Sequence, residues 1–309
     1  METEIVLSSG GRMPVLGMGT AAYPVPEPEL VEAAIFEAMK LGYRHFDTAS
    51  LYQSERPLGR AISRAIQTGI ISNRSELFIA TKLACFDAYP GAVVPALRDS
   101  LNALGIEYVD LYLIHAPMRV RGEKRFVFTM DDVMPFDSVG TWEGMEECYE
   151  LGLAKAIGVS NFPIDKLKLL LSHAKVHPAV NQVEMHPLWQ QKELRELCKE
   201  KGIHVSSYSP LGGTGCFWGN REVLHLKEIE KIAGDKGKTA AQVCLRWGLE
   251  KGVSVLPKSF NKERLQENMD IFGWTLGEDE LQVISLIPQL VEDDASQGLA
   301  RPINSCINV

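Results

Sequence analysis

Apolar residues recur along this chain in two alternating rhythms. Short apolar runs, the length of a buried strand, give way to stretches where apolar positions return every third or fourth residue. Residues 4–16 predict a β-hairpin turned at Ser9-Gly10-Gly11. Over 28–41, Leu30, Ala34, Ile35, Ala38 and Leu41 share a helical face, and Gly42 ends the run. A strand at 43–47 follows. Ser54 then stands where a side-chain cap would start a helix striped by Leu58, Ile62, Ala65 and Ile66. Further strands fall at 77–82, 109–115, 154–161, 179–184, 203–210 and 252–258, with a weaker one at 271–274. Helices alternate with them at 93–104, 141–151, 164–174, 190–201, 224–233, 239–250, 262–269 and 277–287.

Eight strand–helix units, with few hairpin signals after residue 20, argue for a parallel sheet. At 309 residues the expected fold is α/β, a (β/α)8 TIM barrel behind an N-terminal β-hairpin, forming a single domain over 1–309. A doubly wound open sheet is the alternative. It is the weaker one because no unit carries a credible phosphate-binding glycine turn and the last strand needs a partner. Gly17-Met18-Gly19-Thr20-Ala21-Ala22 matches G-x-G-x-x-A, yet Tyr23-Pro24-Val25-Pro26 prevent the helix that a dinucleotide fingerprint requires. A tight loop after the hairpin is the better reading. Three segments break the rhythm: 116–140, the Gly-rich 212–222 with Trp218, and the tail 290–309. Long irregular segments in a compact domain are usually functional, so these are expected to shape a substrate pocket.

Composition narrows the class. With 45% hydrophobic residues there is ample material for a core, and the net charge of −8 argues against a nucleic-acid or anionic-membrane partner. Cys85, Cys148, Cys198, Cys216, Cys244 and Cys306 form no C-x-x-C pair and read as scattered reduced thiols of a cytoplasmic protein. No metal site is expected. The N-terminus carries no secretory pattern, and no apolar run is long enough to cross a bilayer. Cys306-Ile307-Asn308-Val309 meets only the loosest prenylation pattern, with Asn308 where an aliphatic residue is wanted.

In a barrel of this kind the carboxyl ends of the strands converge on one mouth. Asp47, Lys82, His115, Ser160, Asn161, Gln182, Tyr208 and Lys258 would then share a pocket, with Tyr52 above it on the first loop. A strand-end lysine alone is commonly a surface charge, and a lone histidine in an apolar strand a satisfied core group. The succession of such residues at equivalent positions is what carries the argument. A phenol is a poor acid near neutrality, and a neighbouring ammonium favours its ionised form. Asp47 would hold Lys82 charged and in place, and a neutral His115 could orient a carbonyl oxygen. The set suits carbonyl reduction, with Tyr52 donating a proton to a developing alkoxide. No side chain supplies a hydride, so a nicotinamide is implied.

These residues carry a resemblance. Gly42-Tyr43-Arg44-His45-Phe46-Asp47-Thr48-Ala49 with Tyr52 and Glu55, Leu111-Tyr112-Leu113-Ile114-His115, Gly158-Val159-Ser160-Asn161-Phe162, Asn181-Gln182-Val183-Glu184, Ser207-Tyr208-Ser209-Pro210-Leu211-Gly212 and Pro257-Lys258-Ser259 together resemble the aldo-keto reductases. Met145-Glu146-Glu147-Cys148 and Lys258-Ser259-Phe260-Asn261 are most similar to the plant reductases of specialised metabolism. That group includes chalcone (polyketide) reductase, codeinone reductase and deoxymugineic acid synthase.

The resemblance implies a monomer acting on a small-molecule carbonyl with NADPH. Tyr52 would be the general acid, Asp47 and Lys82 would tune it, and His115 would orient the substrate. Thr20 would approach the nicotinamide ribose, Tyr208 would stack on the ring, and Ser160, Asn161 and Gln182 would hold its carboxamide, with Asp47 nearby. Ser209 and Leu211 would line the pyrophosphate path, and Glu267 and Asn268 the adenine. Lys258, Ser259, Phe260 and Arg264 lie on a loop and helix N-terminus. Their two cations and hydroxyl suit a 2′-phosphate, which favours NADPH over NADH. Ala116-Pro117 stand where many members place a large aromatic before the proline, so a wider pocket is expected there. Tyr23, Met118 and Trp218 are candidates for its wall. Two other readings stay open: a lysine Schiff-base aldolase, and a cofactor-binding regulatory protein without turnover.

Overall fold

The computed structural model describes residues 3–122, 128–213, 222–290 and 307–308. The chain opens with β1 (Glu4–Val6) and β2 (Arg12–Pro14), an antiparallel hairpin with Glu4 opposite Pro14. Next come β3 (Met18–Gly19), α1 (Pro28–Leu41), β4 (His45–Asp47), α2 (Glu55–Gln67), β5 (Phe78–Leu83), α3 (Val93–Leu104) and β6 (Leu111–Ile114). Short strands β7 (Arg119–Val120), β8 (Phe128–Thr129) and β9 (Val133–Met134) follow, then α4 (Ser138–Glu150), β10 (Ile157–Ser160), α5 (Ile164–Leu171), β11 (Val180–Glu184) and α6 (Lys192–Glu200). The chain continues through β12 (His204–Tyr208), α7 (Lys227–Lys236), α8 (Ala240–Glu250), β13 (Ser254–Leu256), α9 (Lys262–Met269), α10 (Glu278–Ser285) and β14 (Ile307–Asn308).

Eight strands form one parallel sheet, in the order β13-β12-β11-β10-β6-β5-β4-β3. Its two edges meet. Leu16 bridges Val255 in parallel, Val255 N–H donates to Val15 O at 2.8 Å, and Gly19 N–H donates to Pro257 O at 3.0 Å. The expected barrel is present, and the open sheet is not. Its eighth stave differs from expectation. Residues 271–274 form no strand, being turn and bend over 271–273 and irregular at 274, whereas Met18–Gly19, read from sequence as loop, pairs with Phe46–Asp47.

The glycines explain the exchange. A Cβ at Gly17 would lie 2.6 Å from Leu256 Cδ2 and 2.8 Å from His45, and one at Gly19 would lie 3.2 Å from Leu256 O. Bare backbone is what lets this segment reach both neighbours, so the motif serves barrel closure. The apolar side chain of Ile271 is fully buried, and its carbonyl accepts from Arg246 Nη1 at 2.9 Å. Hydrophobicity there serves helix packing, not strand pairing.

The hairpin plugs the amino-terminal end of the barrel. Leu7 and Met13 are buried with Phe78, Leu111, Leu113 and Val180. The larger core lies between strands and helices and includes Ile35, Leu58, Leu97, Met145, Leu167, Ile229 and Val243. On α1 the buried stripe is Val31, Ala34, Ile35, Ala38 and Met39, while Leu30 is 50% exposed and faces the cleft described below. Ser54 precedes α2 without a side-chain cap bond. Among the described residues, no helix is long and apolar enough to cross a membrane.

Candidate active site

The carboxyl ends of the strands open into a cleft of about 1090 Å³. Asp47 closes β4, Lys82 lies near the end of β5, and His115 follows β6. Ser160 ends β10, Gln182 lies on β11, and Tyr208 ends β12. Each is therefore carried by backbone already bonded to neighbouring strands. Tyr52 ends a short 3₁₀ turn at Ser50–Tyr52.

At the deep end, Lys82 is 1% exposed. Its ammonium donates to Asp47 Oδ1 at 2.5 Å and to Thr48 O at 3.0 Å. Gln182 Nε2 donates to Asp47 Oδ2 at 2.8 Å, so both carboxylate oxygens are engaged. The Lys82 nitrogen lies 4.8 Å from the centroid of the Tyr52 ring, and Tyr52 Oη is 3.2 Å from His115 Nε2. Burial pulls the Lys82 pKa down, opposed by Asp47 and then Glu55. Burial first and the Lys82 charge second lower His115 to about 3. This imidazole is therefore neutral throughout the physiological range.

A second tier braces the first. Ser160 Oγ donates to Gln182 O at 2.8 Å, Asn161 Nδ2 to His115 O at 2.9 Å, and Tyr208 Oη to Asn161 Oδ1 at 2.7 Å. Thr20 Oγ1 donates to Asp47 O at 2.9 Å and lies 2.7 Å from Ser54 Oγ, which is also 2.7 Å from Thr48 Oγ1. Gln53, Asn161 and Ser209 have positive φ of 58°, 61° and 46°. Left-handed backbone at non-glycine residues costs about 1–2 kcal/mol each and collects at functional sites. Here it adjoins Tyr52 and Tyr208 and includes Asn161 itself.

The cleft runs on past Ser209 and Leu211 to Lys258, Ser259, Phe260, Arg264, Glu267 and Asn268. Asn261 caps α9, accepting from Arg264 N at 2.9 Å, and Arg264 is exposed. Among the described residues no carboxylate pairs with Arg264 or Lys258. Glu267 Oε1 accepts from Thr239 Oγ1 at 2.6 Å.

Some candidate residues lie elsewhere. Thr20 is buried with its hydroxyl turned inward, while Gly19 and Ala21 on either side line the cleft. Tyr23, 42% exposed, and Met118, 3% exposed, are not among the described residues lining it. Met118 packs with Cys85, Phe86, Ala116, Val120 and Phe128. Ala116 is a buried member of the same cluster. Trp218 lies outside the described residues.

The sequence pattern does not show the buried contacts of Ser54, Thr48 and Glu55 around the site. Glu55 is a buried carboxylate whose Oε1 accepts from Thr81 Oγ1 at 2.7 Å. An acid at the first turn of a helix reads from sequence as an ordinary dipole partner, and its burial against Thr81 is visible only in the structure.

A parallel barrel whose mouth carries a phenol, a buried ammonium–carboxylate pair and a neutral imidazole at one end of a long cleft is an acid–base enzyme by design. Comparison with known proteins names the kind. The model of the Aldo/keto reductase family matches residues 15–287. A (1S)-1,7-diacetoxy-luvungin A aldo-keto reductase from Citrus sinensis is 53% identical over 90% of this chain and 86% of its own length. Deoxymugineic acid synthase 1 from Oryza sativa is 52% identical over 91% of this chain and 88% of its own. An aldo-keto reductase from Bombyx mori, solved in complex with NADP, superposes with a TM-score of 0.83 at 35% identity, covering 91% of each chain. The chain belongs to the aldo/keto reductase family.

Proposed function

We propose that this protein reduces an aldehyde or ketone to an alcohol with NADPH, Tyr52 donating the proton. One observation carries the reading: the buried Lys82–Asp47 pair lies 4.8 Å beneath the Tyr52 ring, while the phenol oxygen meets a neutral His115 at 3.2 Å. A phenol losing its proton to an alkoxide develops negative charge, and the ammonium favours that charge. Neutral His115 adds a hydrogen-bonding edge beside the phenol without a competing cation. Asp47, held by Lys82 and Gln182, keeps the ammonium fixed.

The cleft's dimensions and chemistry fit a phosphorylated dinucleotide. Ser160, Asn161, Gln182 and Tyr208 would take its nicotinamide end, and Ser209 and Leu211 its middle. Lys258, Ser259 and Arg264 supply two cations and a hydroxyl for a 2′-phosphate, with Phe260, Glu267 and Asn268 beside them. When bound, this cofactor supplies the hydride that no side chain can. The NADP-bound Bombyx mori relative supports the same choice. Burial weighs against Lys82 as a Schiff-base lysine, because it is 1% exposed and tied to Asp47 and Thr48 O.

Plant specialised metabolites are the proposed substrate class, supported by the Citrus sinensis and Oryza sativa relatives. The proposed setting is a cytoplasmic monomer, its 116–140 and 212–222 loops and 290–309 tail shaping the pocket. The test is Tyr52→Phe, assayed by NADPH oxidation over a panel of aldehydes and ketones, with NADPH binding followed by fluorescence. Turnover should vanish while binding persists. Undiminished turnover would remove Tyr52 as the acid.

A further inference from the structure

The groups at the nicotinamide end are joined to one another in a way the proton-transfer chemistry does not require. Tyr208 Oη donates to Asn161 Oδ1 at 2.7 Å. The same amide donates from Nδ2 to the backbone carbonyl of His115 at 2.9 Å and reaches Ser160 Oγ at 3.2 Å. His115 N–H in turn donates to Leu83 O at 3.1 Å. The His115 backbone is therefore pinned on both faces, by a barrel strand on one and by Asn161 on the other.

Asn161 itself is held in an uncommon state. Its φ is 61°, it is 7% exposed, and its amide oxygen and nitrogen are both engaged. A planar amide fixed at both ends transmits a displacement of one partner to the other.

We infer that the hydroxyl of Tyr208 is a positioning group for His115, acting through Asn161. It sets the ring that faces the cofactor in register with the imidazole that faces the substrate. This rests on the reductase reading above and adds to it. The aromatic face of Tyr208 would suffice for stacking, and phenylalanine would provide it equally. The structure gives the hydroxyl a different task. The Tyr208 and His115 strands, β12 and β6, are separated in the sheet by β10 and β11, so no backbone bond links them directly. Asn161, at the end of β10, spans that gap with two side-chain hydrogen bonds. The imidazole must sit within a fraction of an ångström of its place to serve a carbonyl, because misplacement of about 1 Å can cost about a hundredfold in rate.

The test is Tyr208→Phe, which keeps the ring and removes the hydrogen bond to Asn161. With 4-nitrobenzaldehyde and saturating NADPH, kcat should fall about tenfold, the equivalent of about 1.4 kcal/mol. The NADPH dissociation constant, read by fluorescence titration, should stay within about threefold of wild type. In an Asn161→Ala background the same change should have no further effect on kcat. Asn161→Asp, which keeps the acceptor for Tyr208 and loses the donor to His115, serves as the background if the alanine variant does not fold. NMR of ¹⁵N-histidine-labelled protein should show the His115 ring signals displaced by Tyr208→Phe and those of His204 unmoved.

The inference is overturned by a wild-type kcat in Tyr208→Phe, by a loss confined to NADPH affinity, by losses that multiply in the double variant, or by unmoved His115 signals. Failure of the wild type to reduce any carbonyl would instead sink the function proposed above. The histidine spectra would still decide the coupling.

Discussion

Removing the Lys82 ammonium while keeping its bulk, as Lys82→Met, isolates the charge beneath Tyr52. The nitrogen lies 4.8 Å from the ring centroid. At a separation of about 5 Å and an effective dielectric of about 20, Coulomb's law gives about 3 kcal/mol between the ammonium and a full phenolate charge. That is roughly two orders of magnitude in the rate of a proton-donating step. Asp47 modifies the outcome. Its carboxylate lies 2.5 Å beyond the nitrogen, so it repels the same phenolate from at most about 7 Å, by about 2 kcal/mol on the same terms. In the native pair the two effects largely offset each other. In Lys82→Met only the repulsion remains, joined by the cost of a buried unpaired carboxylate, about 3–5 kcal/mol of stability. The double variant Lys82→Met with Asp47→Asn lacks both charges. It should be more stable than Lys82→Met alone and turn over faster, while remaining below wild type. The assay is single-turnover NADPH oxidation with 4-nitrobenzaldehyde, alongside urea unfolding of each variant. A Lys82→Met rate within about threefold of wild type would refute the electrostatic account. So would a double variant no faster than the single one.

The remaining predictions concern the cofactor, pH and the hydroxyls around the Tyr52 loop. Arg264→Ala should weaken NADPH by roughly tenfold to a hundredfold while leaving NADH within about threefold, because only NADPH presents a 2′-phosphate; equal losses would remove that assignment. Burial lowers His115 and His204 to about 3, and Ser254 N–H donates into His204 Nε2 at 3.1 Å, so the folded state keeps that ring neutral. The unfolded state binds a proton near 6.5, so stability is full above that pH and falls as pH drops from about 6.5 towards 3. Between pH 7 and 5 the loss should be about 2 kcal/mol for each such histidine. His204→Gln should therefore narrow the difference in urea stability by that amount, and an unchanged difference would contradict the reasoning. Ser54→Ala removes two hydrogen bonds of a buried cluster, taking Ser54 from the Thr48 hydroxyl while Thr20 keeps its bond to Asp47 O, and should cost about 1–3 kcal/mol in urea unfolding, against which a loss below about 0.5 kcal/mol would count.

Which parts of this molecule were legible in the sequence follows from what each residue does locally. Strands such as Phe78–Leu83 and Val180–Glu184 are buried on both faces, so they read as unbroken apolar or mixed runs ending in a polar group. The polar positions within those runs gave Lys82, next to last in its strand, and Gln182, at the middle of its own. The residues Asp47, Tyr52, Lys82 and His115 could be singled out together because barrel topology turns sequence order into a ring of strand ends. Met18–Gly19 was illegible because a two-residue strand is too short to show a period, and the glycines at 17 and 19 that let it approach His45 and Leu256 read as loop. Ile271, Phe272 and Trp274 had the composition of a strand, but packing against α8 used it. Ser54 looked like a helix cap because serine before a helix usually is one. Only coordinates show its hydroxyl turned towards Thr20 and Thr48.

The barrel is closed by its shortest stave. Where β3 meets β13 the seam is held by a few backbone hydrogen bonds, among them Gly17 N–H to Val255 O at 3.0 Å and Gly19 N–H to Pro257 O at 3.0 Å. The cleft straddles this line, with Gly19 and Ala21 on one bank and Leu256, Pro257 and Lys258 on the other. A dinucleotide bound along the proposed path would act as a stitch across the join. By mass action its binding free energy opposes any opening that parts the two banks. On the proposed binding mode, the molecule that supplies the hydride would also fasten the hoop, and a cell poor in this nucleotide would hold a looser protein as well as an idle one.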